Sequence, residues 1–436
     1  MNAPGSNGPT NGISNHDSLT GPTAETRTDG AGDRGHNLSH RDWILLPFLG
    51  LLTVLFIAGS TEFLARRAYP EHDGIQGCIA DPKSAEAAVG RPNSSCWEKR
   101  AEVSLPVEYT FNRCGHRAGM ECGPKAPGTY RIVMSGSSMA LGLNVARQET
   151  FAALLPVELS RQTGRKVELY NEATIFGSPL RNVALHFNEI QSEDPDMFLW
   201  VLTPVDVSVP SRALPEGAAG HVAASHLSSP GNREKHAGFT WFNKAPVLFA
   251  KLLVDPLFKL WDRTRTGVVL RHYLYEHEGP DRYVESFLAG NTDEAGLLRA
   301  DLSTDWKPRL HQFDIYVADV AARSRAAGIP LVVVLIPNRA QAAMISAGEW
   351  PAGYDPYKLA QELRTIVTNH GGTYIDILPN YRDTPNSELN YFPVDGHADV
   401  RGHAMISAMI AKELTNGSIP ALKSATTSQA ELEKQK

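Results

Sequence analysis

The chain has 436 residues, with 42 Lys and Arg against 48 Asp and Glu for a formal net charge of −6, 42% hydrophobic residues and four cysteines. These values exclude a disulfide miniprotein, a collagen-like chain and a wholly disordered acidic chain. The mildly acidic balance, without a long basic block, argues against a nucleic-acid-binding protein whose affinity comes from neutralising phosphates.

Both ends of the chain have the composition of disordered tails. Residues 1–42 are rich in Gly, Asn, Ser, Thr and Asp and contain no Phe, Trp or Tyr, so they lack the apolar surface needed to order the segment. The last residues, 416–436, are similarly polar. We therefore predict disordered tails over 1–42 and 416–436.

An uncharged apolar run follows the N-terminal tail. Residues 43–61 (WILLPFLGLLTVLFIAGST) lie between Asp42 and Glu62 and contain no charged side chain. As a helix the run would span about 28 Å at ~1.5 Å per residue, close to the ~30 Å hydrocarbon core of a bilayer. It predicts one transmembrane helix. Two alternatives remain, a signal peptide cleaved near 58–60 and a buried core helix.

All four cysteines follow the apolar run within a short stretch, and the rest of the chain has none. This distribution is typical of disulfides formed outside the cytosol, so we predict two bonds in an extension over 62–128 and an extracytoplasmic location for the bulk of the chain. The favoured pairing is Cys78 with Cys96 and Cys114 with Cys122, since each bond closes a local loop. Four reduced thiols are the alternative, and zinc binding is less favoured because there is no C-x-x-C pair.

From residue 129 short apolar runs alternate with amphipathic stretches. The runs predict strands at 131–135, 167–170, 197–202, 331–336 and 373–377. The amphipathic stretches predict helices near 148–163, 180–192, 300–327, 355–370 and 400–414. Buried strands alternating with helices indicate a parallel sheet covered on both faces. We therefore predict a three-layer α/β/α domain over 129–415, with its functional loops at the carboxyl ends of the strands.

One segment interrupts this alternation. Between the third and fourth predicted strands, residues 207–299 replace the expected crossover with a loop-like part followed by an aromatic, helical part. A connection of this length usually has a function or forms a subdomain. The segment is either a cap over the strand ends or a helical insertion packed on the flank of the domain.

A serine motif follows the first predicted strand. Gly136-Ser137-Ser138 comes directly after the strand, and Gly142 comes four residues after Ser138 and before a helix. The motif places a hydroxyl at a strand-to-helix junction, where free backbone N–H groups can stabilise an oxyanion.

A second motif lies near the C-terminus, in YFPVDGHADVRGHAM. Asp395 and His397 are two residues apart on a loop before a helix, and Gly402 and His403 follow. Nucleophilic serine chemistry needs a base within hydrogen-bond reach and a group that fixes the tautomer of that base. An Asp-x-His loop can supply both. Taken alone, the motif could also be an Asp-Gly turn with a solvated histidine.

Together the two motifs resemble the signature of the SGNH (GDSL-type) hydrolase superfamily. Residues 136–142 match the family's G-D-S-x-x-x-G block with Ser137 in place of the usual Asp, and residues 395–403 match its D-x-H block followed by G-H. The flanks are similar too, with G-x-x-V-x-x-x-E-T-F after the serine and N-x-x-G-x-R at 112–117. The resemblance implies a flavodoxin-like three-layer fold and ester chemistry.

The resemblance also implies the roles of individual residues. Ser138 is the implied nucleophile, His397 the general base, and Asp395 the carboxylate that orients His397. Ser137 remains a competing nucleophile, although the spacing to Gly142 favours Ser138.

Two interior blocks of the family are matched less completely. The second block supplies a glycine N–H to the oxyanion hole, together with the N–H of the nucleophile, and Gly177 is the best match here. The third block normally ends in Asn-Asp, but the aligned pair is Val205-Asp206. Thr203 is the nearby candidate to replace the missing Asn. Losing one such donor can cost on the order of 10²–10³ in turnover.

These features predict a membrane-anchored serine esterase that removes an acyl group, such as O-acetyl, from an extracytoplasmic polysaccharide or other envelope substrate. Two alternatives remain open, an O-acyltransferase that works with a membrane acyl donor and a non-catalytic binding module of the same fold. Val205 favours the binding module, whereas the intact Ser138, Asp395 and His397 oppose it. The sequence contains no recognisable metal-ligand motif or phosphate-binding loop, so no metal or organic cofactor is expected.

Overall fold

The computed structural model describes residues 40–80, 89–175, 179–208, 261, 264–277, 279–290, 292–302 and 306–423. Most of both predicted tails and residues 209–260 of the predicted insertion therefore lie outside the described residues. The contacts of the chain divide it into two units, 1–58 and 59–436.

Helix α1 (His40–Ala68) contains the predicted transmembrane run. An 18-residue window within Trp43–Ala68 has a mean hydropathy of 2.2, and the helix is long and apolar enough to cross a membrane. The helix begins inside the predicted tail and continues beyond residue 61, because residues 62–68 (EFLARRA) include good helix formers. Glu62 and Arg66 also form an i,i+4 ion pair at 2.7 Å, which supports the last turns.

The extension between α1 and the sheet is structured. It contains a 3₁₀ turn and two antiparallel pairs of short strands, with β1 paired to β2 and β3 paired to β4. Their bounds are Ile75–Cys78 for the 3₁₀ turn, β1 (Ile79–Ala80), β2 (Val89–Gly90), β3 (Ser95–Glu98) and β4 (Val107–Thr110). Disulfides join Cys78 to Cys96 and Cys114 to Cys122, which is the favoured pairing.

A five-stranded parallel sheet forms the centre of the domain and confirms the predicted fold class. Its strands are β5 (Thr129–Ser135), β6 (Lys166–Asn171), β7 (Met197–Leu202), β8 (Leu331–Leu335) and β9 (Thr373–Ile375). The spatial order is β6-β5-β7-β8-β9. Every residue of β5, β7 and β8 is buried, as expected for central strands covered on both faces.

Helices cover the two faces of the sheet. One layer contains α3, which packs on α13 and β6, and the other contains α9, which packs on α4 and α11. Among the described residues, the helices after α1 are α2 (Ser138–Leu141), α3 (Phe151–Thr163), α4 (Pro179–Ser192), α5 (Pro204–Ser208), α6 (Arg265–His277), α7 (Pro280–Gly290), α8 (Thr292–Gly296), α9 (Trp306–Ala326), α10 (Arg339–Ala347), α11 (Lys358–Asn369), α12 (Leu378–Arg382) and α13 (Val400–Thr415).

The strand order places a topological switch point between β5 and β7. The chain moves from β5 to one side to form β6, then crosses back to form β7 on the other side of β5. In open α/β sheets a crevice opens at the carboxyl ends of the strands where the order reverses, and ligands bind there. Ser138 follows β5 and Asp206 follows β7, so both lie at this crevice.

The ordered domain extends beyond its predicted end. Residues 416–423, assigned to the C-terminal tail from sequence, include a 3₁₀ turn at Pro420–Leu422. Ile419 is 5% exposed and Leu422 is fully buried, so the apolar side chains of this segment join the core. The sequence-based assignment to a tail is therefore wrong for 416–423, while 424–436 lie outside the described residues.

Candidate active site

Two glycines shape the turn that presents Ser138. A Cβ on Gly136 would lie 2.5 Å from the carbonyl oxygen of Val201, so no larger residue fits between β5 and β7. Gly142 ends α2 with a left-handed φ of 82°, which favours glycine. The chain between them reverses sharply and places Ser138 at the first position of α2.

The structure brings three of the predicted residues together in one hydrogen-bonded chain. Ser138 Oγ lies 2.6 Å from His397 Nε2. On the other side of the ring, His397 Nδ1 lies 2.5 Å from Asp395 Oδ1. With Nδ1–H donating to the carboxylate, Nε2 is free to accept the serine proton, which is the arrangement that nucleophilic serine chemistry requires.

The two adjacent serines have different partners. Ser137 Oγ donates to Asp206 Oδ2 at 3.2 Å, whereas Ser138 Oγ faces His397. Asp206 is 1% exposed, and burial raises its pKa to about 6 despite the hydrogen bonds that it accepts from Thr203 and Ser137. Of the two candidate nucleophiles, Ser138 is therefore the one next to a base.

The hydrogen-bonded pair of His397 and Asp395 shifts the pKa values of both residues, as expected for an ion pair. Burial alone would lower the pKa of His397, but the charge and hydrogen bond of Asp395 hold it above its ordinary value. Burial likewise opposes the ionised form of Asp395, but His397 keeps the pKa of Asp395 below its usual range. The ring is thus a stronger base than a free imidazole.

A tight turn fixes the Asp-x-His loop. The N–H of Gly396 donates to the carbonyl of Phe392, and the N–H of Phe392 donates to the carbonyl of His397. Gly396 has a φ of 81°. Two residues after the histidine, Asp399 Oδ1 accepts from the N–H of Gly402 at 2.8 Å and caps the start of α13.

Glu102, in the extension, holds the backbone of the Asp-x-His loop, and no local sequence motif marks it. Its carboxylate accepts from the N–H groups of Val394 and Asp395 at 2.9 and 2.6 Å. Glu102 Oε1 also lies 2.8 Å from Nδ1 of His272, on α6, and the carboxylate side chain is 5% exposed. Glu102 is therefore a candidate positioning residue for Asp395.

Arg117, in the segment that resembles the family's N-x-x-G-x-R motif, braces the turn after Ser138. Its guanidinium donates to the carbonyls of Leu141, Gly142 and Val145 at 2.7–2.8 Å. The side chain is buried over the ring of Tyr109, 4.3 Å from its centroid. The extension thus supplies the donors that the end of α2 lacks.

The three predicted oxyanion donors are not equally available in the structure. The N–H of Ser138 belongs to the first turn of α2 and has no intrahelical acceptor, so it is available. Gly177 lies outside the described residues. The N–H of Thr203 donates to Asp206 Oδ2 at 2.7 Å and its hydroxyl bonds the same carboxylate, so the assignment of Thr203 as a free donor is wrong. Val205 is 42% exposed.

His403 has a structural role. It is fully buried, its ring stacks on Phe151 with centroids 5.5 Å apart, and its Nδ1 accepts from the N–H of Phe151 at 3.2 Å. Burial lowers its pKa to about 3, so the ring is neutral. A second base is not needed beside His397.

The described end of the insertion lies beside the Asp-x-His loop. Arg339 joins the two by donating to the carbonyls of Pro393 and Tyr275, at 2.6 and 2.8 Å. Its guanidinium also lies over the ring of Tyr283, 4.0 Å from the centroid. Together with the contact between His272 and Glu102, this places α6 and α7 near the carboxyl edge of the sheet. Residues 209–260 of the predicted cap lie outside the described residues.

Comparisons with known proteins give structural likenesses. No protein-family model matches the chain, and no curated protein does. The chain is similar to the crystal structure of LAE5, an alpha/beta hydrolase from the metagenome of Lake Arreo in Spain, with 13% identity, coverage of 68% of this chain and 97% of that one, and a TM-score of 0.34.

Two further solved structures are similar at the same level. A catalytic mutant of Axe2, an acetylxylan esterase from Geobacillus stearothermophilus, has 8% identity, coverage of 65% and 94%, and a TM-score of 0.33. The lipase/acylhydrolase from Enterococcus faecalis has 11% identity, coverage of 65% and 95%, and a TM-score of 0.31. At these identities and TM-scores the likeness establishes no family for the chain.

Proposed function

We propose that the chain is a serine hydrolase of the SGNH type that cleaves acyl esters through a covalent intermediate on Ser138. The observation that carries the proposal is the hydrogen-bonded chain from Ser138 Oγ to His397 Nε2 at 2.6 Å and from His397 Nδ1 to Asp395 at 2.5 Å. Its place at the switch point of the sheet and the order of the two sequence motifs support the same assignment.

The geometry supports a two-step mechanism. Ser138 Oγ attacks the ester carbonyl while His397 Nε2 takes its proton, and Asp395 stabilises the resulting imidazolium. The oxyanion accepts from the N–H of Ser138, and Gly177 is the proposed second donor. His397 then gives the proton to the leaving alcohol oxygen, which releases the alcohol and leaves an acyl group on Ser138. In the second step His397 takes a proton from water as the water oxygen attacks the acyl carbonyl. The bond from the acyl carbon to Ser138 Oγ then breaks, His397 returns the proton to Oγ, and the acyl group leaves as a carboxylic acid.

We assign the substrate to the acylated carbohydrates or other envelope esters outside the cytosol. Helix α1 is apolar and long enough to serve as a single membrane anchor. The two disulfides support an extracytoplasmic location for the domain that follows it. No nucleic-acid partner or cofactor is part of the proposal.

Hydrolysis of p-nitrophenyl acetate by the full-length chain in detergent tests the proposal. The intact protein is expected to turn the ester over, and Ser138→Ala to lose at least ~10³-fold in kcat. Thr150→Ser is a matched control, because Thr150 caps α3 close to the site without contacting the proposed triad. Absence of turnover in the intact protein would favour the non-catalytic binding module.

An O-acyltransferase is the second candidate function, favoured by the exposed apolar surface of α1, which suits a membrane-bound acyl donor. It uses the same acyl-enzyme, but a sugar hydroxyl replaces water in the second step. The two functions are separated by incubating the protein with an acyl donor and a glycan acceptor. Acyl transfer faster than hydrolysis supports the transferase, and hydrolysis alone supports the esterase.

A further inference from the structure

A second cluster of titratable side chains lies apart from the proposed triad. His116 Nε2 lies 3.5 Å from Glu172 Oε1 and 3.5 Å from Glu193 Oε1. Each of the three residues offers one ligand atom, and these atoms all lie within 4.8 Å of one another. The cluster joins residues far apart in sequence, which is why no metal-ligand motif was visible there.

Three well-anchored segments supply these side chains. His116 lies in the loop closed by the Cys114–Cys122 disulfide, and its N–H donates to Asn112 Oδ1 at 3.0 Å. Glu172 directly follows β6, and its N–H donates to the carbonyl of Met134 on β5. Glu193 directly follows α4, where its N–H donates to the carbonyl of Ile190. The backbone therefore holds all three positions.

Two of the three separations between the ligand atoms suit a metal polyhedron, and the third is within 4.8 Å. Tetrahedral zinc with ligand bonds of ~2.0 Å has ligand atoms ~3.3 Å apart, close to the two 3.5 Å separations in the cluster. The side chain of Glu172 is 10% exposed, and its Oε1, which is directed at His116, has no hydrogen-bond partner among the described residues. Glu193 Oε2 also lacks a hydrogen-bond partner there.

A bound cation would offset the cost of burying the two carboxylates of the cluster. Arg131 is the neighbouring basic residue, but its Nε donates to Glu168 at 2.6 Å and its Nη1 to the backbone carbonyl of Glu193. Neither of these hydrogen bonds goes to a cluster carboxylate, although the charge of Arg131 partly offsets the effect of burial, which raises the pKa of Glu193. Two nearly buried carboxylates without such a bond are costly, and a divalent cation would neutralise both.

We propose that His116, Glu172 and Glu193 bind one divalent transition-metal ion, with Zn²⁺ as the best match. One imidazole nitrogen and two carboxylate oxygens suit Zn²⁺, with water completing the shell. Mg²⁺ and Ca²⁺ instead favour shells of six or more oxygens.

The proposed ion ties the extension to the loop beside the nucleophile. Its ligand His116 is next to Arg117, which braces the end of α2. Its ligand Glu172 is two residues before Thr174, whose N–H donates to the carbonyl of Gly136 at 3.1 Å. The ion therefore has a structural role, because it stabilises the segments that contact the chain before Ser138, at Gly136, and after it, at the end of α2.

The test uses the full-length chain in detergent, stripped of metal with a chelator and then titrated with ZnCl₂. The readouts are bound zinc per chain after dialysis and the thermal unfolding temperature. The double variant E172Q/E193Q keeps the side-chain volumes but removes both anionic ligands. The control variant is His370→Asn, because His370 makes a partly exposed contact with Asp314 outside the cluster.

We expect one zinc ion per chain and a rise in Tm for the intact protein and for His370→Asn. E172Q/E193Q should remain folded but bind zinc at least ~10-fold more weakly and show no rise in Tm. The proposal is overturned if the intact protein binds no zinc, or if E172Q/E193Q binds it equally well. A Tm rise with Mg²⁺ or Ca²⁺ as large as with Zn²⁺ would overturn the choice of metal.

Discussion

The hydroxyl groups of the adjacent residues Ser137 and Ser138, at the start of α2, contact different side chains. Ser138 faces His397, while Ser137 donates to Asp206. Ser137 stands where the resembling family has Asp, so in this chain a neutral side chain contacts the buried carboxyl group of Asp206.

The raised pKa of His397 predicts where kcat/KM falls on the acid side of its pH profile. The ring acts as a base only when neutral, so kcat/KM falls as the pH drops through its pKa. Because the charge of Asp395 raises that pKa against the effect of burial, the midpoint should lie above the ordinary value of about 6.5. In Asp395→Asn the midpoint should move to lower pH and kcat should fall by up to ~10⁴-fold. A midpoint unchanged by Asp395→Asn would contradict this coupling.

Glu102 provides a second residue-level prediction. Glu102→Gln removes one of two carboxylate acceptors for the N–H groups of Val394 and Asp395, so the carboxylate of Asp395 loses its fixed position. We expect kcat/KM for p-nitrophenyl acetate to fall by about 10-fold to 10²-fold, with the acid limb shifted to lower pH. The matched control is Glu108→Gln, because Glu108 accepts from Ser95 on the exposed face of the extension. Equal profiles for the two variants would contradict a positioning role.

At the scale of elements, the extension acts as a brace for the catalytic turn. Arg117→Met should leave three carbonyls at the end of α2 without their donor and destabilise the chain by about 2 kcal/mol. The rate of Ser138 acylation should fall as well, because the turn loses its support. Arg113→Met, in the same loop but 59% exposed, should change neither value greatly. Thermal unfolding and acylation kinetics measure the two effects.

A second chain of contacts runs within the unit 59–436, from Glu62 to the Asp-x-His loop. The carboxylate of Glu62, in the last turns of α1, accepts from the N–H groups of Arg265 and Thr266 and so caps α6. Along α6, His272 contacts Glu102, which holds the backbone of Asp395. Glu62 is therefore connected to the backbone of Asp395 through α6 and Glu102.

Elements were predictable from sequence where a local pattern determines them. The strand runs at 131–135 and 197–202 were found because fully buried strands are almost continuously apolar. The Asp395 and His397 pair was found because both residues lie on one short segment. Glu102 and the cluster of His116 with two glutamates could not be predicted, since tertiary packing brings distant polar residues together without a local motif.

At the scale of the whole molecule, the disulfides stabilise the extension that supports the site. Closing loops with sequence separations of 18 and 8 should contribute about 3 kcal/mol for each bond in the chain-entropy model. Non-reducing mass spectrometry of membrane-extracted protein should find no free thiol, and reduction should lower Tm and the esterase rate together. Four free thiols in that sample would contradict the extracytoplasmic assignment.

Covalent labelling by a fluorophosphonate tests the central claim most directly. The full-length protein in detergent should be labelled at one residue, Ser138, because its hydroxyl is the one beside His397 Nε2. Labelling should disappear in Ser138→Ala and persist in Ser137→Ala. Loss of the label in Ser137→Ala but not in Ser138→Ala, or no labelling of the intact protein, would contradict the assignment of Ser138 as the nucleophile.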